Sequence, residues 1–324
     1  MDTSKPSFPR IVYVGAHMES YAPFRRLIQR GDNIVGFVTL IPESMQKMSG
    51  ATDLTGLAEN AGIPMLRIKN INSPEAMDWI RALEPDVILV IGWTQLLKDE
   101  LLRMPKLACL GFHASLLPKY RGRAPINWAL IHGETVTGNS MITLEPEADT
   151  GDVVAQRAIP ITDEDDCNTL YQKVGQTEVE MLEEVLPQLQ RGIVPRSKQD
   201  NSIATVMPKR RPEDGLVDWS RTTRELYNWV RALTEPYPGA FTFVNGEKVL
   251  LWKAQMEGGA ARRGERPGTI VLNREGWPLV ATGDGWLRLM SVQKEGGMKV
   301  SGQAAGKSFL TAGVVFDEQA VAAQ

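Results

Sequence analysis

The chain has 324 residues, a length that exceeds one ordinary compact core and predicts two domains, with a single large α/β domain as the alternative. Hydrophobic residues make up 43% and charged residues 23%, which is typical of globular proteins and excludes a disordered or collagen-like chain. A net charge of −3 argues against a protein built mainly to hold polyanions, and the absence of an export signal or of a run of roughly 18 apolar residues predicts a cytoplasmic protein without a membrane partner.

The first half of the sequence alternates between apolar runs and segments of helical periodicity. The predicted strands are Ile11–Gly15, Ile34–Leu40, Met65–Ile68, Asp86–Ile91 and Leu107–Phe112. Helices are predicted between them, at Pro23–Arg30, Leu54–Ala61, Pro74–Leu83 and Leu96–Met104. This alternation indicates an α/β fold, a Rossmann-like, doubly wound and mostly parallel sheet, whose ligands bind beyond the carboxyl ends of the strands. No GxGxxG pattern follows the first strand, which argues against a dinucleotide cofactor.

The second half changes character after a polar segment at 193–210, which has the composition of a linker. Before it, strands at 140–145 and 153–159 and a long helix at about 166–192 complete a first domain, predicted over residues 1–204. After it, a helix at 222–233 and short strands separated by glycine turns predict a smaller β-rich domain over 205–324, an open, OB-like barrel.

The charge of each predicted domain bears on possible partners. Residues 1–204 carry 20 basic and 26 acidic side chains, and residues 205–324 carry 16 and 13. Neither domain is strongly basic, so a nucleic-acid partner is not expected. Cys109 and Cys167 are too few for a disulfide framework or a zinc site, and no metal site is predicted.

One histidine stands out from the three in the chain by its position. His113 follows the apolar run Leu107–Phe112 and precedes a loop rich in Gly, Pro and basic groups, which places it at the carboxyl edge of the sheet. Asp149 lies in an acidic turn between two predicted strands that can reach the same edge. A histidine and a carboxylate from separate loops make a candidate acid–base pair.

These residues lie within motifs that resemble a known family. The run HASLLPKYRGRAP beginning at His113 and the run EADTGDVVAQ beginning at Glu147 are similar to the formyltransferases that use 10-formyltetrahydrofolate. The similarity is greatest to sugar-nucleotide N-formyltransferases and next to methionyl-tRNA formyltransferase. It continues at RRPEDGLVDW (210–219) and RALTEPYPGAF (231–241), which resemble the start of that family's C-terminal barrel domain.

The resemblance implies a catalytic trio, and this chain departs from it at one position. In the family, an asparagine two residues before the histidine stabilises the oxyanion that forms when an amine attacks the formyl carbon, and an aspartate orients the histidine. His113 and Asp149 match, but Gly111 stands at the asparagine position. Loss of one oxyanion donor typically costs about 10²–10³ in rate.

Three interpretations of Gly111 stay open at the level of sequence. In the first, another group or a water supplies the missing hydrogen bond. Asn139 is a candidate for that group, because Gly138-Asn139-Ser140 stands where the family usually has Gly-Val-Thr. A turn or capping role for Asn139 is the simpler interpretation. Alternatively, the site transfers a different one-carbon or acyl unit. Lastly, the protein has lost catalysis and retains folate or nucleotide binding.

The resemblance also implies the ligands and the residues that hold them. The donor is 10-formyltetrahydrofolate, and the acceptor is a small-molecule amine, foremost an aminosugar on a nucleotide; methionyl-tRNA is the alternative, and a homodimer is possible. Arg121 and Arg123 are candidates to hold a substrate phosphate, or else belong to a solvated loop, and His17 is a candidate for the acceptor pocket or the surface. The residues implied for the folate are Ile91, Gly92, Trp93, Thr94, Leu96, Leu116, Leu117 and Pro118.

Overall fold

A computed structural model describes residues 9–259 and 265–317. Within them the chain divides into two compact units. The first comprises the described parts of Met1–Pro125, Val136–Ile161 and Thr169–Pro208, and the second those of Ile126–Thr135, Thr162–Asn168 and Lys209–Gln324. The limits 1–204 and 205–324 stay a prediction, and the second unit also takes two short segments from within residues 1–204.

The first unit contains a seven-stranded sheet. Its strands are β1 (Ile11–Gly15), β2 (Ile34–Leu40), β3 (Met65–Ile68), β4 (Val87–Ile91), β5 (Ala108–His113), β7 (Val136–Thr143) and β8 (Val153–Pro160), and a separate two-residue pair joins β6 (Arg121–Gly122) to β9 (Val206–Met207). The α-helices before residue 190 are α1 (Tyr21–Arg30), α2 (Pro42–Met45), α3 (Thr55–Asn60), α4 (Pro74–Ala82), α5 (Asp99–Leu102), α6 (Pro125–Ile131) and α7 (Cys167–Leu189).

The order of the strands fixes where a ligand can bind. The sheet runs β3-β2-β1-β4-β5-β7-β8, with parallel pairing from β3 to β5 and antiparallel pairing at β7 and β8. Every residue of β1 and β4 is buried, as expected for central parallel strands that are covered on both faces. The strand order reverses between β1 and β4, so the ends of these strands and of β5 border the crevice in which such folds bind ligands.

Two apolar layers cover the sheet. One face packs against α1 and α7 through Tyr13, Phe24, Leu110, Met141 and Met181. The other packs against α4 through Val14, Val90, Cys109 and their neighbours. Because successive side chains of a strand point to opposite faces, Gly111 and His113 share the face of Cys109, whereas Leu110 lies on the face of α7. The Rossmann-like, mostly parallel sheet is thereby confirmed.

The second unit is an antiparallel β domain, as predicted. Its elements are α8 (Thr223–Leu233), β10 (Ala240–Val244), β11 (Glu247–Glu257), β12 (Ile270–Leu272), β13 (Pro278–Ala281), β14 (Trp286–Lys294), β15 (Lys299–Ser301) and α9 (Gly302–Gly306). The strands are ordered β10-β11-β14-β13-β12. Residues 315–317 join the two edges, because Phe243 pairs with Asp317 and Thr269 pairs with Val315. Within the same unit, the Arg231 guanidinium donates to the carbonyls of Thr162 and Asp165.

Candidate active site

His113 is the last residue of β5 and is 8% exposed. Its Nε2 lies 2.6 Å from the carbonyl oxygen of Tyr120, and since a carbonyl only accepts, Nε2 carries the hydrogen. Its Nδ1 lies 3.4 Å from Oδ1 of Asp149. The structure therefore brings together the two residues that the sequence predicts to form an acid–base pair. When the ring is protonated at both nitrogens, each nitrogen faces an acceptor.

Asp149 is held by the loop that follows His113. Its Oδ2 accepts a hydrogen bond from the Gly122 N–H at 2.8 Å, and its backbone adopts φ +61°, a left-handed conformation that is uncommon for residues other than glycine. One carboxylate oxygen thus faces the imidazole and the other is fixed by the backbone. This arrangement orients the carboxylate toward His113.

The loop that carries Gly122 is supported by residues close to the end of the first unit. Gly122 has φ +98°, and a Cβ there would lie 2.5 Å from the Met207 carbonyl oxygen, so glycine is required at this position. The Tyr120 N–H donates to Oγ1 of Thr205 at 2.8 Å. Gln199 donates to the carbonyl oxygens of Asp149 and Gly151. These supporting residues could not be found from the sequence, because they lie in the segment 193–210, whose composition predicts a linker.

Gly111 sits in the middle of β5, two residues before His113 and on the same face. It pairs with Val90 of β4 and Ile142 of β7. A Cβ at this position would lie 2.6 Å from Cδ2 of Leu144 and 3.1 Å from its Cγ. Leu144 packs against the apolar layer on this face. The space that a side chain at position 111 would need is therefore filled by leucine.

Asn139 does not replace the absent amide, which corrects one of the alternatives from the sequence. It lies on β7 two residues from Met141, so both point to the α7 face. Its Nδ2 donates to Oγ1 of Thr177 at 3.2 Å and to the Val174 carbonyl at 3.4 Å, both on α7. Its side chain thus lies on the opposite face of the sheet from His113, too far to reach the reacting atoms. The strand position also corrects the turn or capping role.

The segment implied for the folate ring follows β4. Gly92 adopts φ +62°, and a Cβ there would lie 2.5 Å from Oγ of Ser20 and 2.7 Å from Cβ of His17. The indole nitrogen of Trp93 is buried, and within the described residues it has no hydrogen-bond partner. Thr94 accepts a hydrogen bond from Arg123 through its carbonyl, at 3.3 Å. Ile91 is buried at the strand end.

The remaining residues implied for the folate lie in three environments. Leu117 is buried; its N–H donates to Oγ of Ser140, and Gln156 donates to its carbonyl. Pro118 follows a cis peptide bond and is buried, and Leu116 is half-buried. Leu96 is 63% exposed. Their roles in folate binding stay predictions.

The other two candidate substrate residues, Arg121 and His17, have partners, as Arg123 has in the Thr94 carbonyl. The Arg121 guanidinium donates to Gln199 at 2.7 Å and to Asn201 at 2.7 Å, which gives it a positioning role in the loop beside Asp149. His17 follows β1, is 7% exposed, and packs edge-on against Tyr171 at 5.0 Å. It lies at the crevice between β1 and β4, not on the surface.

One buried carboxylate near the crevice was missed from the sequence. Glu178 on α7 is 1% exposed, and burial, reinforced by the charge of Glu19, raises its pKa well above the usual range. Burial and the same two carboxylates also raise the pKa of Tyr13. A signal existed, because Glu178 falls in register with the buried Val174 and Met181, and a charge on the apolar face of a helix is unusual.

Comparisons with protein families decide the assignment. Residues 24–186 match the formyl transferase family, and residues 209–310 match the C-terminal domain of formyl transferases. The chain belongs to the formyltransferase family. This formyltransferase is an enzyme of the N-formyltransferase type, and the donor of the reaction is a formyl-folate, as the sequence motifs indicated.

Methionyl-tRNA formyltransferases are among its relatives in sequence. That of Geobacter sulfurreducens is 38% identical over 289 residues, covering 89% of this chain and 90% of the relative. That of Citrifermentans bemidjiense is 37% identical over 289 residues, covering 89% of each. These identities establish the family.

Solved structures share the fold of the formyltransferase at lower identity. WlaRD, a sugar 3N-formyltransferase crystallised with dTDP and 5-N-formyl-THF, is 16% identical, with a TM-score of 0.63 over 90% of this chain and 99% of WlaRD. HypX from Aquifex aeolicus, in complex with tetrahydrofolic acid, is 21% identical, with a TM-score of 0.66 over 94% of this chain. The formyltransferase spans 48% of the length of HypX.

No helix in the described ranges is both long and apolar enough to cross a membrane. Among residues 9–259 and 265–317, no group of three or more His, Cys, Asp or Glu is arranged to hold a metal ion.

Proposed function

We propose that this enzyme transfers the formyl group of 10-formyltetrahydrofolate to the primary amine of an aminosugar carried on a nucleotide. The observation that carries the proposal is the His113–Asp149 pair, with 3.4 Å between Nδ1 and Oδ1, at the carboxyl end of β5 in a formyltransferase fold. An imidazole and a carboxylate in contact can hold and move the proton that the amine releases as the new amide bond forms.

The segment Ile91–Thr94 binds the folate donor. Gly92 provides a left-handed turn against Ser20 and His17, and the indole N–H of Trp93 is buried with no partner among the described residues. A buried hydrogen-bond donor without an acceptor is energetically costly. The acceptor atoms of a bound heterocyclic ring would satisfy the indole N–H. When bound, 10-formyltetrahydrofolate supplies the formyl carbon that the amine attacks.

Residues of this chain stabilise the charges that develop during the reaction. The Nε2–H group of His113 donates a hydrogen bond to the Tyr120 carbonyl. A rotation of the imidazole ring would direct this N–H toward an oxygen of the bound ligand. Asp149 is fixed by the Gly122 N–H and stabilises the imidazolium. Position 111 adds no donor, so we propose that His113 carries a larger share of the oxyanion stabilisation than it would beside an asparagine.

The choice of an aminosugar as the acceptor rests on the charge of the chain and on the resemblance of its motifs to sugar-nucleotide N-formyltransferases. Residues 1–204 carry six more acidic than basic side chains, whereas affinity for tRNA depends largely on neutralising phosphates. A related fold, the N-formyltransferase from Helicobacter canadensis, was crystallised with folinic acid and dTDP-3-aminofucose; it is 15% identical, with a TM-score of 0.64. Methionyl-tRNA is the second candidate acceptor, favoured by the relatives that are 38% and 37% identical.

A direct assay tests the proposal. The purified full chain is incubated with 10-formyltetrahydrofolate and either a panel of nucleotide-linked aminosugars or methionyl-tRNA, and formylated products are detected by mass spectrometry. We expect a formylated aminosugar, strongly reduced in His113→Ala and unchanged in His132→Ala, which alters an exposed histidine at the end of α6. Formylation of methionyl-tRNA alone would overturn the proposed acceptor. Binding of folate with no transfer to any amine would overturn the proposed reaction and favour a binding role.

A further inference from the structure

Two polar side chains lie on the sheet in line with His113. Ser140 of β7 is directly opposite His113, and Gln156 of β8 is directly opposite Ser140. Residues paired across neighbouring strands point to the same face, with their Cβ atoms about 5 Å apart. The three side chains therefore form a row that crosses β5, β7 and β8 on the face of His113.

The hydroxyl of Ser140 uses its whole hydrogen-bonding capacity inside the protein. Its Oγ donates to the Ser115 carbonyl oxygen at 2.7 Å and accepts from the Leu117 N–H at 3.2 Å. It also accepts from Nε2 of Gln156 at 2.8 Å. A serine hydroxyl has one hydrogen and two lone pairs, and Ser140 is 0% exposed. The hydroxyl thus joins three groups that belong to two different segments.

Gln156 completes the support of the same backbone segment. Its Nε2 donates to the Leu117 carbonyl oxygen at 3.0 Å, which fixes the orientation of the amide, since a carbonyl only accepts. Leu117 is 5% exposed, and buried backbone polar groups require partners. Both polar groups of the Leu117 backbone find them in what we call the Ser140–Gln156 pair.

The supported segment contains residues that the family resemblance implies for the folate, namely Leu116, Leu117 and Pro118. The side chain of Leu116 lies against Gly138, because a Cβ at position 138 would lie 2.3 Å from Cδ2 of Leu116. β7 therefore fixes this segment at two points, through the hydroxyl of Ser140 and through the surface that Gly138 leaves open.

The imidazole of His113 is held by other groups. Its nitrogens face the Tyr120 carbonyl and the Asp149 carboxylate, and the Tyr120 N–H donates to Thr205. None of these three contacts involves the Ser140–Gln156 pair. Loss of the pair should therefore disturb the folate segment more than the acid–base residues.

We propose that Ser140 and Gln156 are positioning residues for the formyl-folate donor, because they hold the backbone at 115–117 in the conformation that binds it. The inference rests on the proposed function for the assignment of Leu116, Leu117 and Pro118 to the donor. If the bound conformation is only partly populated, the apparent Kd rises in inverse proportion to that population. The pair keeps the segment in this conformation before the donor arrives.

Titration calorimetry of the full chain with 5-formyltetrahydrofolate tests the proposal without an acceptor. We expect Ser140→Ala to raise the Kd by about tenfold, the effect of a segment that keeps its binding conformation in one molecule of ten. Gln156→Met preserves the length of the side chain but removes the donor, and it should also raise the Kd. Because the two residues share a hydrogen bond, the double variant should raise the Kd by less than the product of the single effects.

Thr137→Val is the matched control. Thr137 also lies on β7 and is 5% exposed, but strand parity places it on the α7 face with Asn139. The variant removes a buried hydroxyl from the same strand and should keep the wild-type Kd. If Ser140→Ala fails to fold, Gln156→Met, at a half-buried position, carries the comparison with the control.

The outcomes separate this inference from the proposed acceptor. A wild-type Kd in folded Ser140→Ala or in Gln156→Met would overturn the positioning role, and so would an equal rise in Thr137→Val or a wild type that does not bind the probe. A rise confined to the Ser140–Gln156 pair, in an enzyme that formylates no aminosugar, would retain the positioning role and overturn the proposed function.

Discussion

Gly111→Asn restores the side chain that the family motif has at this position, and the structure predicts that the enzyme does not tolerate it. The new Cβ would lie 2.6 Å from Cδ2 of Leu144, whereas carbon atoms in contact prefer about 3.5–4.0 Å. Leu144 must therefore move by about 1 Å against the apolar layer. Overpacking of this size typically costs about 1–3 kcal/mol. Because His113 lies two residues further on the same strand, a comparable displacement there would lower turnover by about 10².

Leu144→Ala supplies the control, because it removes the atoms that the new side chain would meet. In urea unfolding, Gly111→Asn should lower the free energy of unfolding by about 2 kcal/mol in the wild-type background. It should cost about 1–2 kcal/mol less in the Leu144→Ala background, a coupling expected for residues in contact. In that background the amide has room to act as an oxyanion donor, so formyl transfer should rise by up to about 10² relative to Leu144→Ala alone.

The result that would refute this reasoning is a Gly111→Asn enzyme with wild-type stability and a higher formyl-transfer rate. Such an enzyme would mean that Leu144 moves freely and that Gly111 is simply a damaged oxyanion site. Additive effects of the two substitutions on the free energy of unfolding would likewise show that Leu144 does not restrict position 111.

Three further predictions concern the catalytic pair, its loop and the folate segment. His113→Ala and Asp149→Asn should each lower turnover by about 10² or more with an unchanged circular dichroism spectrum; near wild-type turnover would remove that residue from the mechanism. Gly122→Ala should lower the free energy of unfolding by about 1–3 kcal/mol and reduce turnover, because of its φ of +98° and the Met207 carbonyl; an unchanged urea midpoint would contradict this. A tetrahydrofolate analogue at a hundredfold excess over its Kd should stabilise the wild type by about 2.7 kcal/mol. At the same concentration it should stabilise Trp93→Phe less than the wild type, and Trp79→Phe as much as the wild type. Equal thermal shifts in both variants would disprove a role for the Trp93 N–H.

The sequence predicted the strands better than their surroundings. β1, β2 and β3 were predicted with their observed bounds, because each is a short apolar run bounded by polar or turn residues. The segment Leu96–Met104 was predicted as one helix, whereas only Asp99–Leu102 is helical. Leu97 and Leu101 are both buried, so the apolar spacing typical of a helix persists through a segment that contains a single helical turn.

The candidate site was predictable where a single residue type carries the chemistry. His113 could be found because it ends an apolar strand, and Asp149 because it lies in an acidic turn between two strands. The correction at Asn139 came from strand parity, since a shift of one residue moves a side chain to the other face of the sheet. The support from Thr205 to Tyr120 and from Gln199 to Asp149 could not be found, because contacts between residues 85 and 50 positions apart leave no periodic pattern.

The pairing of β6 with β9 limits how this enzyme can be divided. The Thr205 carbonyl accepts from the Arg121 N–H at 2.9 Å, and the Met207 carbonyl accepts from the Arg123 N–H at 3.2 Å. A catalytic fragment that ended at residue 204, where the composition changes, would lose these bonds together with the Thr205 hydroxyl that holds Tyr120. A transplantable catalytic module must therefore extend through Pro208, and chimeras that exchange the β domain should keep the native 199–208 segment beside its own active-site loop.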